Sequence, residues 1–169
     1  MSAAAPSRRF AEALGGAWLA VSVGLLLVTV LTVLSQIACR YLLALPLAWT
    51  EEVSRLALVC AVYAGLPPAY LKAEQIVVDF FVAKLPKPLF AAYVIVLKAI
   101  SAAVIAYLAV GAALQVAATR EMTLIALPSV PAAVVYAVQA ASLASFVLVI
   151  LLTWRDPWVY VPREVGSDA

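Results

Sequence analysis

"ALGGAWLAVSVGLLLVTVLTVLSQIAC", residues 13–39, is a run of 27 positions without a charged side chain. A helix needs roughly 20 predominantly apolar residues to cross the hydrocarbon core of a bilayer, so this run is long enough to span one. The rest of the chain is similar: 67% of its 169 residues are hydrophobic and 12% are charged, against about 45–50% and about 25% in soluble domains. A core of this size cannot hide that excess, so we predict an integral membrane protein in contact with the lipid bilayer.

Three more apolar runs follow the first. The predicted spans cover about residues 17–39, 49–71, 92–118 and 130–153. Pro67 and Pro68 should kink or end the second span, and the fourth should start near Pro128 or Pro131, since proline is tolerated in a first helical turn. The alternating strands of a closed barrel are absent. We therefore predict an all-α integral membrane protein in which residues 1–169 form a single domain of four transmembrane helices.

Lysine and arginine indicate how these helices are oriented. With the N-terminus inside, seven basic residues lie on the inner side and three on the outer side. The inner set is Arg8, Arg9, Lys72, Lys84, Lys87, Arg155 and Arg163, and the outer set is Arg40, Arg55 and Arg120. Because basic residues are in excess on the cytoplasmic side, both termini are predicted to be cytoplasmic, in a multi-pass inner-membrane protein.

The connection between the second and third spans has its own pattern. Its apolar residues recur at helical spacing, with Asp79 and Lys84 between them. This pattern predicts a short helix over about residues 75–86 that lies in the inner membrane interface.

Several classes of function are disfavoured by composition. The chain has no histidine, which removes haem and zinc sites built on imidazole and all imidazole catalysis. Cys39 and Cys60 are too few for a disulfide framework, and no phosphate-loop or hydrolase motif occurs. The net charge of +2 comes without a basic run. We therefore expect no enzymatic activity, no cofactor, no metal site and no nucleic-acid partner.

A charged cluster stands at the start of the second span. Glu51, Glu52 and Arg55 precede an uncharged stretch that continues to Tyr70. One interpretation is structural: Thr50 caps the helix, the carboxylates face its positive end, and Arg55 pairs with either of them. A second adds contact with Arg40 or with a partner protein. A third, an ion pathway, is disfavoured because a carboxylate beside arginine at the mouth of a span is poorly placed to relay protons.

Lys98 and two polar stripes are the other candidates within the spans. Lys98 lies either at mid-membrane depth or at the inner boundary, and the uncharged run from Ala99 to Thr119 favours the boundary, with the ammonium extended towards water. The first span carries a polar stripe on one helical face, and the fourth carries a second. Such stripes typically form helix–helix contacts, and Gly24 and Gly65 would allow close approach. The stripes consist of Ser22, Thr29, Thr32 and Gln36, and of Gln139, Ser142 and Ser145.

Four patterns occur in a fixed order along the chain. An Arg-Tyr pair closes the first span, and a Pro-x-x-Trp-x-Glu-Glu-x-x-Arg pattern opens the second. A glycine follows within that span, and an Ile-x-Val-Asp pattern lies in the inner connection. The residues are Arg40, Tyr41, Pro46, Trp49, Glu51, Glu52, Arg55, Gly65, Ile76, Val78 and Asp79. This series resembles the small membrane subunit of the tripartite ATP-independent periplasmic (TRAP) transporters, with Gln75 where that family commonly has histidine.

The resemblance implies a sodium-driven, binding-protein-dependent secondary transporter for organic acids. It implies a large permease subunit that binds sodium and substrate, and a periplasmic substrate-binding protein as the second partner. This chain would be the scaffold for the large subunit and would contribute to docking of the binding protein. The residues implied in structure or partner contact are Arg40, Tyr41, Trp49, Glu51, Glu52, Arg55 and Asp79, with Lys98 and Gln139 as further candidates. Two alternatives stay open: a self-sufficient proton-coupled exporter, and a non-haem anchoring subunit of another membrane complex.

Overall fold

The computed structural model describes residues 6–42, 48–72, 87–124, 127–128 and 130–154. These residues form four helices: α1 (Pro6–Leu42), α2 (Ala48–Leu71), α3 (Lys87–Ala118) and α4 (Ala133–Leu152). All four are long and apolar enough to cross a membrane. The prediction of an all-α protein with four helices able to span a membrane is therefore confirmed for the described residues, which contain no strand beyond an isolated bridge between Thr123 and Pro131. The segment predicted as an interfacial helix, with Asp79, lies outside the described residues.

The helices form two hairpins joined through their second members. α1 packs along α2, and α3 packs along α4. α2 also packs against α4, whereas α1 makes only a few contacts with α4. The order across the bundle is therefore α1–α2–α4–α3, with α2 and α4 in the centre. Large parts of α1 and α3 face outward, as expected for helices whose apolar surface meets lipid or another membrane protein.

Small residues on α2 allow this central packing. Its buried positions include Thr50, Ser54, Ala57, Ala61 and Ala64, which recur every three or four residues. This spacing places them on one face of a helix, and their small side chains let neighbouring backbones approach closely. α2 therefore packs against the rest of the bundle through small side chains, and larger apolar side chains such as Leu58 and Val62 lie on its exposed side.

All four helices meet in a cluster near the C-terminal ends of α2 and α4. The rings of Tyr70 and Phe146 lie 5.4 Å apart between centroids and are tilted by 59°, a favourable arrangement for aromatic pairs. Val149 and Ile150 complete the buried cluster, and Leu14 from α1 and Ile105 from α3 pack against it. This end of the bundle is the side predicted to be cytoplasmic.

Helix ends deviate from the sequence prediction in detail. α2 continues through Pro67 and Pro68 and ends at Leu71, so the prolines occupy its last turns. α4 begins at Ala133, and Pro131 precedes its N-cap residue, Ala132. Ala132 donates its backbone N–H to Met122 O at 2.8 Å, which closes the α3–α4 connection.

Candidate functional site

The first turns of α2 carry an ion pair on their outer surface. Arg55 Nη2 lies 2.9 Å from Glu51 Oε1, one helical turn away, which confirms the predicted pairing of Arg55 with a carboxylate of this cluster. The side chains of Arg55 and Glu51 are 73% and 63% exposed. An exposed pair at this spacing contributes only about 0.3–0.5 kcal/mol in water, so it does not explain by itself why charge stands at the mouth of a span.

The predicted helix cap at Thr50 is wrong. α2 begins at Ala48, two residues earlier, so Thr50 lies inside the first turn and is completely buried. The reason is packing. Thr50 is the first member of the buried small-residue face of α2, and it shares that face with Ser54 and Ala57 because the helix already begins at Ala48. The carboxylate of Glu51 still lies in the first turn, where the helix dipole favours negative charge.

Glu51 and Arg55 begin an exposed stripe on α2. Leu58 and Val62 continue it at spacings of three and four residues, with 46% and 60% of their surfaces exposed. This stripe is rotated by about 100° around the axis of α2 from the small-residue face, because each of its members directly follows a residue of that face. Glu52, by contrast, is only partly exposed. Because the side chains of Glu51 and Arg55 are largely exposed, the ion pair is not covered by the other described helices of this chain.

The end of α1 and the start of α2 add further exposed groups. Arg40, Tyr41 and Trp49 are all exposed. Within the described residues, no ion pair joins Arg40 to the acidic residues of α2. A direct tie between α1 and α2 through Arg40, which the sequence suggested as one interpretation, is therefore not formed in the described part of the chain.

Hydrogen bonds between helices are made by the predicted polar stripes. Ser22 Oγ on α1 donates to Ala61 O on α2 at 2.8 Å. Thr29 Oγ1 lies 3.5 Å from Ser54 O, at the limit of such a bond. Ser142 Oγ on α4 donates to Tyr63 O on α2. The prediction that these stripes form helix–helix contacts is confirmed for Ser22 and Ser142, whose partners are backbone carbonyls rather than other side chains.

Close approach of α1 and α2 occurs at a glycine that the sequence analysis did not single out. A Cβ atom on Gly15 would lie 2.5 Å from Leu71 Cδ1, whereas one on Gly24 would have no atom within 4 Å. The prediction for Gly24 is therefore wrong. Gly65 lies against Ser22, because a Cβ there would be 3.4 Å from Ser22 Oγ. Each of these contacts depends on the rotation of α1 about its axis, which hydropathy alone does not fix.

Lys98 is held by the end of α4. Its Nζ donates to Thr153 O at 2.8 Å, and the side chain is 1% exposed. Thr153 is the C-cap of α4, where backbone carbonyls lack intrahelical partners and the dipole favours a cation. Lys98 therefore lies level with the end of a span, as predicted for a boundary residue, but its ammonium is buried between helices instead of extending to the surface.

Gln139 lines a groove between α2, α3 and α4. The groove has a volume of about 370 Å³ and contains three tyrosines and a second glutamine. We call it the tyrosine–glutamine groove and define it by Tyr63, Tyr107, Gln115, Tyr136 and Gln139. Of these residues, only Gln139 was a candidate from the sequence. A signal for the α3 members exists, because Tyr107, Gly111 and Gln115 are four residues apart and so share a helical face.

The described residues offer no grouping of three or more histidine, cysteine, aspartate or glutamate side chains that could hold a metal ion. Cys39 and Cys60 are both free thiols.

Comparison with protein families gives one match of substantial extent. The family model described as "Tripartite ATP-independent periplasmic transporters, DctQ component" matches residues 29–159. The matched region begins inside α1, includes the Glu51–Arg55 pair and continues past the end of α4. Comparison with curated proteins and with solved structures found no match to this chain. Because the family match covers more than three quarters of the 169 residues, the chain belongs to the DctQ component family, the small subunit of tripartite ATP-independent periplasmic (TRAP) transporters.

Proposed function

We propose that this chain is the small permease subunit of a sodium-driven, binding-protein-dependent secondary transporter for organic acids in a bacterial inner membrane. It acts as a scaffold for the large permease subunit, which binds sodium and substrate. It also contributes to docking of the periplasmic binding protein. DctQ components work with these two partners in TRAP systems, and both termini of this chain are cytoplasmic in our proposal.

One observation carries the scaffold role. Hydroxyl groups on the helices at both sides of α2 donate to its backbone carbonyls, Ser22 of α1 to Ala61 O and Ser142 of α4 to Tyr63 O. The helices outside this centre, α1 and α3, keep broad apolar faces exposed. A fixed centre with uncovered outer helices suits a subunit that is held against a larger membrane partner.

The placement of charge supports ion and substrate sites on another chain. Among the described residues, Glu12 lies near the start of α1, Glu51 and Glu52 lie in the first turns of α2, and Glu121 follows α3. A coupling carboxylate for protons or sodium is expected inside a span, facing a bundle interior or cavity. Lys98, a cation inside the bundle, is already bound to the end of α4.

The exposed groups at the outer end of the hairpin support a docking role. Tyr41 and Trp49 present aromatic surface there, and Glu51 and Arg55 present charge beside it. Aromatic residues and arginine are enriched in protein interfaces. In our proposal these groups contact the large subunit and the binding protein on the periplasmic side.

The testing experiment is an affinity purification from native membranes. The chain would carry a C-terminal tag, the membranes would be solubilised in mild detergent, and co-eluting proteins would be identified by mass spectrometry. We expect a many-span permease in near-stoichiometric amount. Elution of the chain with itself alone, under conditions that preserve other membrane complexes, would contradict the proposal.

Reconstitution separates the proposal from a self-sufficient exporter. Proteoliposomes would contain the small subunit alone, the large subunit alone, or both, each with the binding protein and a labelled organic acid outside. We expect uptake only with both subunits and an inward sodium gradient. Transport by the small subunit alone, driven by a proton gradient, would return Glu51 and Glu52 to consideration as coupling groups.

A further inference from the structure

The tyrosine–glutamine groove holds polar side chains at membrane depth without partners in the described chain. None of its five polar members makes a side-chain hydrogen bond or ion pair within the described residues, although the backbone carbonyls of Tyr63 and Gln115 accept hydrogen bonds. Tyr107 is 80% exposed. Transfer of an unpartnered hydroxyl or amide into an apolar medium is unfavourable. Lipid tails in the groove would therefore leave these polar side chains without hydrogen-bond partners.

The depth of the groove restricts what can fill it. Tyr107 precedes the end of α3 at Ala118 by 11 residues, which places it about 16 Å from that end at 1.5 Å per residue. Tyr63 precedes the end of α2 at Leu71 by eight residues, about 12 Å. A lipid headgroup stays at the interface, and an acyl chain offers no hydrogen-bonding group, so a phospholipid does not complement both tyrosines.

The wall of the groove also favours a helical occupant. Gly111 and Ala112 lie between the polar members on α3, and a Cβ on Gly111 would have no atom within 4 Å. Small residues beside polar ones are the surface by which membrane helices pack closely and exchange hydrogen bonds. No charged residue is found among the groove's lining side chains, so the complementary surface is polar but uncharged.

We propose that the tyrosine–glutamine groove binds a transmembrane helix of the large permease subunit. This helix contributes uncharged hydrogen-bonding side chains and small residues to the contact. This inference rests on the proposed function and names the surface through which the scaffold role is exerted. Because Tyr107 on α3 is both part of the groove and largely exposed, the partner helix would also cover the part of α3 around this residue.

Site-specific cross-linking tests the position of the partner. A photoreactive phenylalanine analogue would replace Tyr107 or Gln139 in the complex with the tagged large subunit, and Leu31, an exposed residue of α1, would be the comparison position. We expect cross-links to the large subunit from both groove positions, well above those from Leu31. Cross-links from the groove only to lipid, or only to a second copy of this chain, would overturn the inference.

Matched substitutions test the hydrogen bonds. Gln139→Leu and Tyr107→Phe remove polar groups from the groove, whereas Gln36→Leu and Tyr93→Phe make the same changes outside it. Because a hydrogen bond between membrane helices contributes on average about 0.6 kcal/mol, each groove variant should bind the large subunit roughly threefold more weakly, and the double variant Gln115→Leu/Gln139→Leu roughly tenfold. Subunit affinity would be measured by energy transfer between labelled subunits in vesicles at increasing lipid dilution.

The outcomes distinguish this inference from the function on which it rests. If the wild-type chain binds the large subunit but the groove variants bind equally well and do not cross-link, the groove assignment fails and the scaffold proposal stands. If the wild-type chain does not bind the large subunit at all, both fail. Normal elution of each variant as an isolated folded subunit in size-exclusion chromatography excludes misfolding as the cause of weaker binding.

Discussion

The ammonium group of Lys98 donates a hydrogen bond to the backbone carbonyl of Thr153, 2.8 Å away and buried between α3 and α4. The two residues are 55 positions apart in sequence. The contact closes the α3–α4 hairpin at the end opposite its connecting loop. It also places a positive charge on the C-terminal end of α4, where the helix dipole is negative.

Replacement of this lysine should loosen the hairpin. Lys98→Met keeps a long flexible chain but removes the donor, which leaves the Thr153 carbonyl with one partner fewer in a buried site. Such a loss costs about 1–3 kcal/mol, so the melting temperature of the purified subunit in detergent should fall by several degrees.

Lys72→Met is the matched control, because Lys72 lies exposed just after the end of α2. Its melting temperature should stay close to that of the wild type. Equal melting temperatures for Lys98→Met and Lys72→Met would show that the bond to Thr153 contributes nothing measurable.

A smaller effect is expected for Ser142, which is buried and donates to Tyr63 O across the α2–α4 contact. Ser145, one turn further along α4, instead donates to Ala141 O of its own helix at 2.8 Å. Ser142→Ala should therefore destabilise the subunit by about 0.6 kcal/mol, the average for such bonds in membrane proteins, while Ser145→Ala should have no effect. Thermal unfolding of both variants in one detergent measures the difference. A larger loss of stability for Ser145→Ala would mean that α4 is rotated about its axis, so that Ser145 and not Ser142 faces α2.

Much of this architecture could be predicted from the sequence because the membrane restricts it. Uncharged runs of about 20 residues must become helices, since lipid offers no hydrogen bonds to an open backbone. The polar stripe with Ser22 and Thr29 indicated which face of α1 meets another helix for the same reason. Ser142 gave a similar indication for α4.

Features that depend on how helices rotate and pair could not be predicted. Helix α1 contains three glycines, Gly15, Gly16 and Gly24, and nothing in their spacing tells which of them meets α2. The tyrosine–glutamine groove needs α3 to lie beside α4, because Tyr107 and Gln115 come from one helix and Tyr136 and Gln139 from the other. Thr50 was likewise predicted to be the helix cap, because the sequence alone does not show that α2 begins two residues earlier.

Gly15 should be the most sensitive glycine of α1. Gly15→Val would place methyl groups where Leu71 Cδ1 now lies, and Pro68 Cα is 3.8 Å from the Cβ position. Overpacking of this kind costs about 1–3 kcal/mol, so the variant should unfold at a lower temperature. Gly16→Val is the control, because a Cβ there meets nothing within 4 Å and valine carries the same intrinsic helix preference in both. If Gly15→Val is no less stable than Gly16→Val, α1 and α2 do not approach closely at this end.

The Glu51–Arg55 pair should affect assembly more than stability. Arg55→Ala removes an exposed pair worth about 0.3–0.5 kcal/mol, so the melting temperature of the isolated subunit should hardly change. Under the scaffold proposal, the same variant should clearly reduce recovery of the large permease subunit in affinity purification. The substrate affinity of whatever complex remains should be unaltered, since the proposal places substrate on the other chain.

A charge exchange shows whether a partner recognises these side chains. Glu51→Arg/Arg55→Glu keeps opposite charges four residues apart on the exposed stripe of α2 but reverses the field that a neighbouring protein meets. If a partner contacts the pair, the double variant should assemble as poorly as Arg55→Ala, because like charges would then face each other across the interface. Restored assembly would mean that the pair acts only within α2. Normal assembly of all these variants together with lost sodium coupling in proteoliposomes would contradict the scaffold interpretation of this cluster and favour an ion site at the mouth of α2.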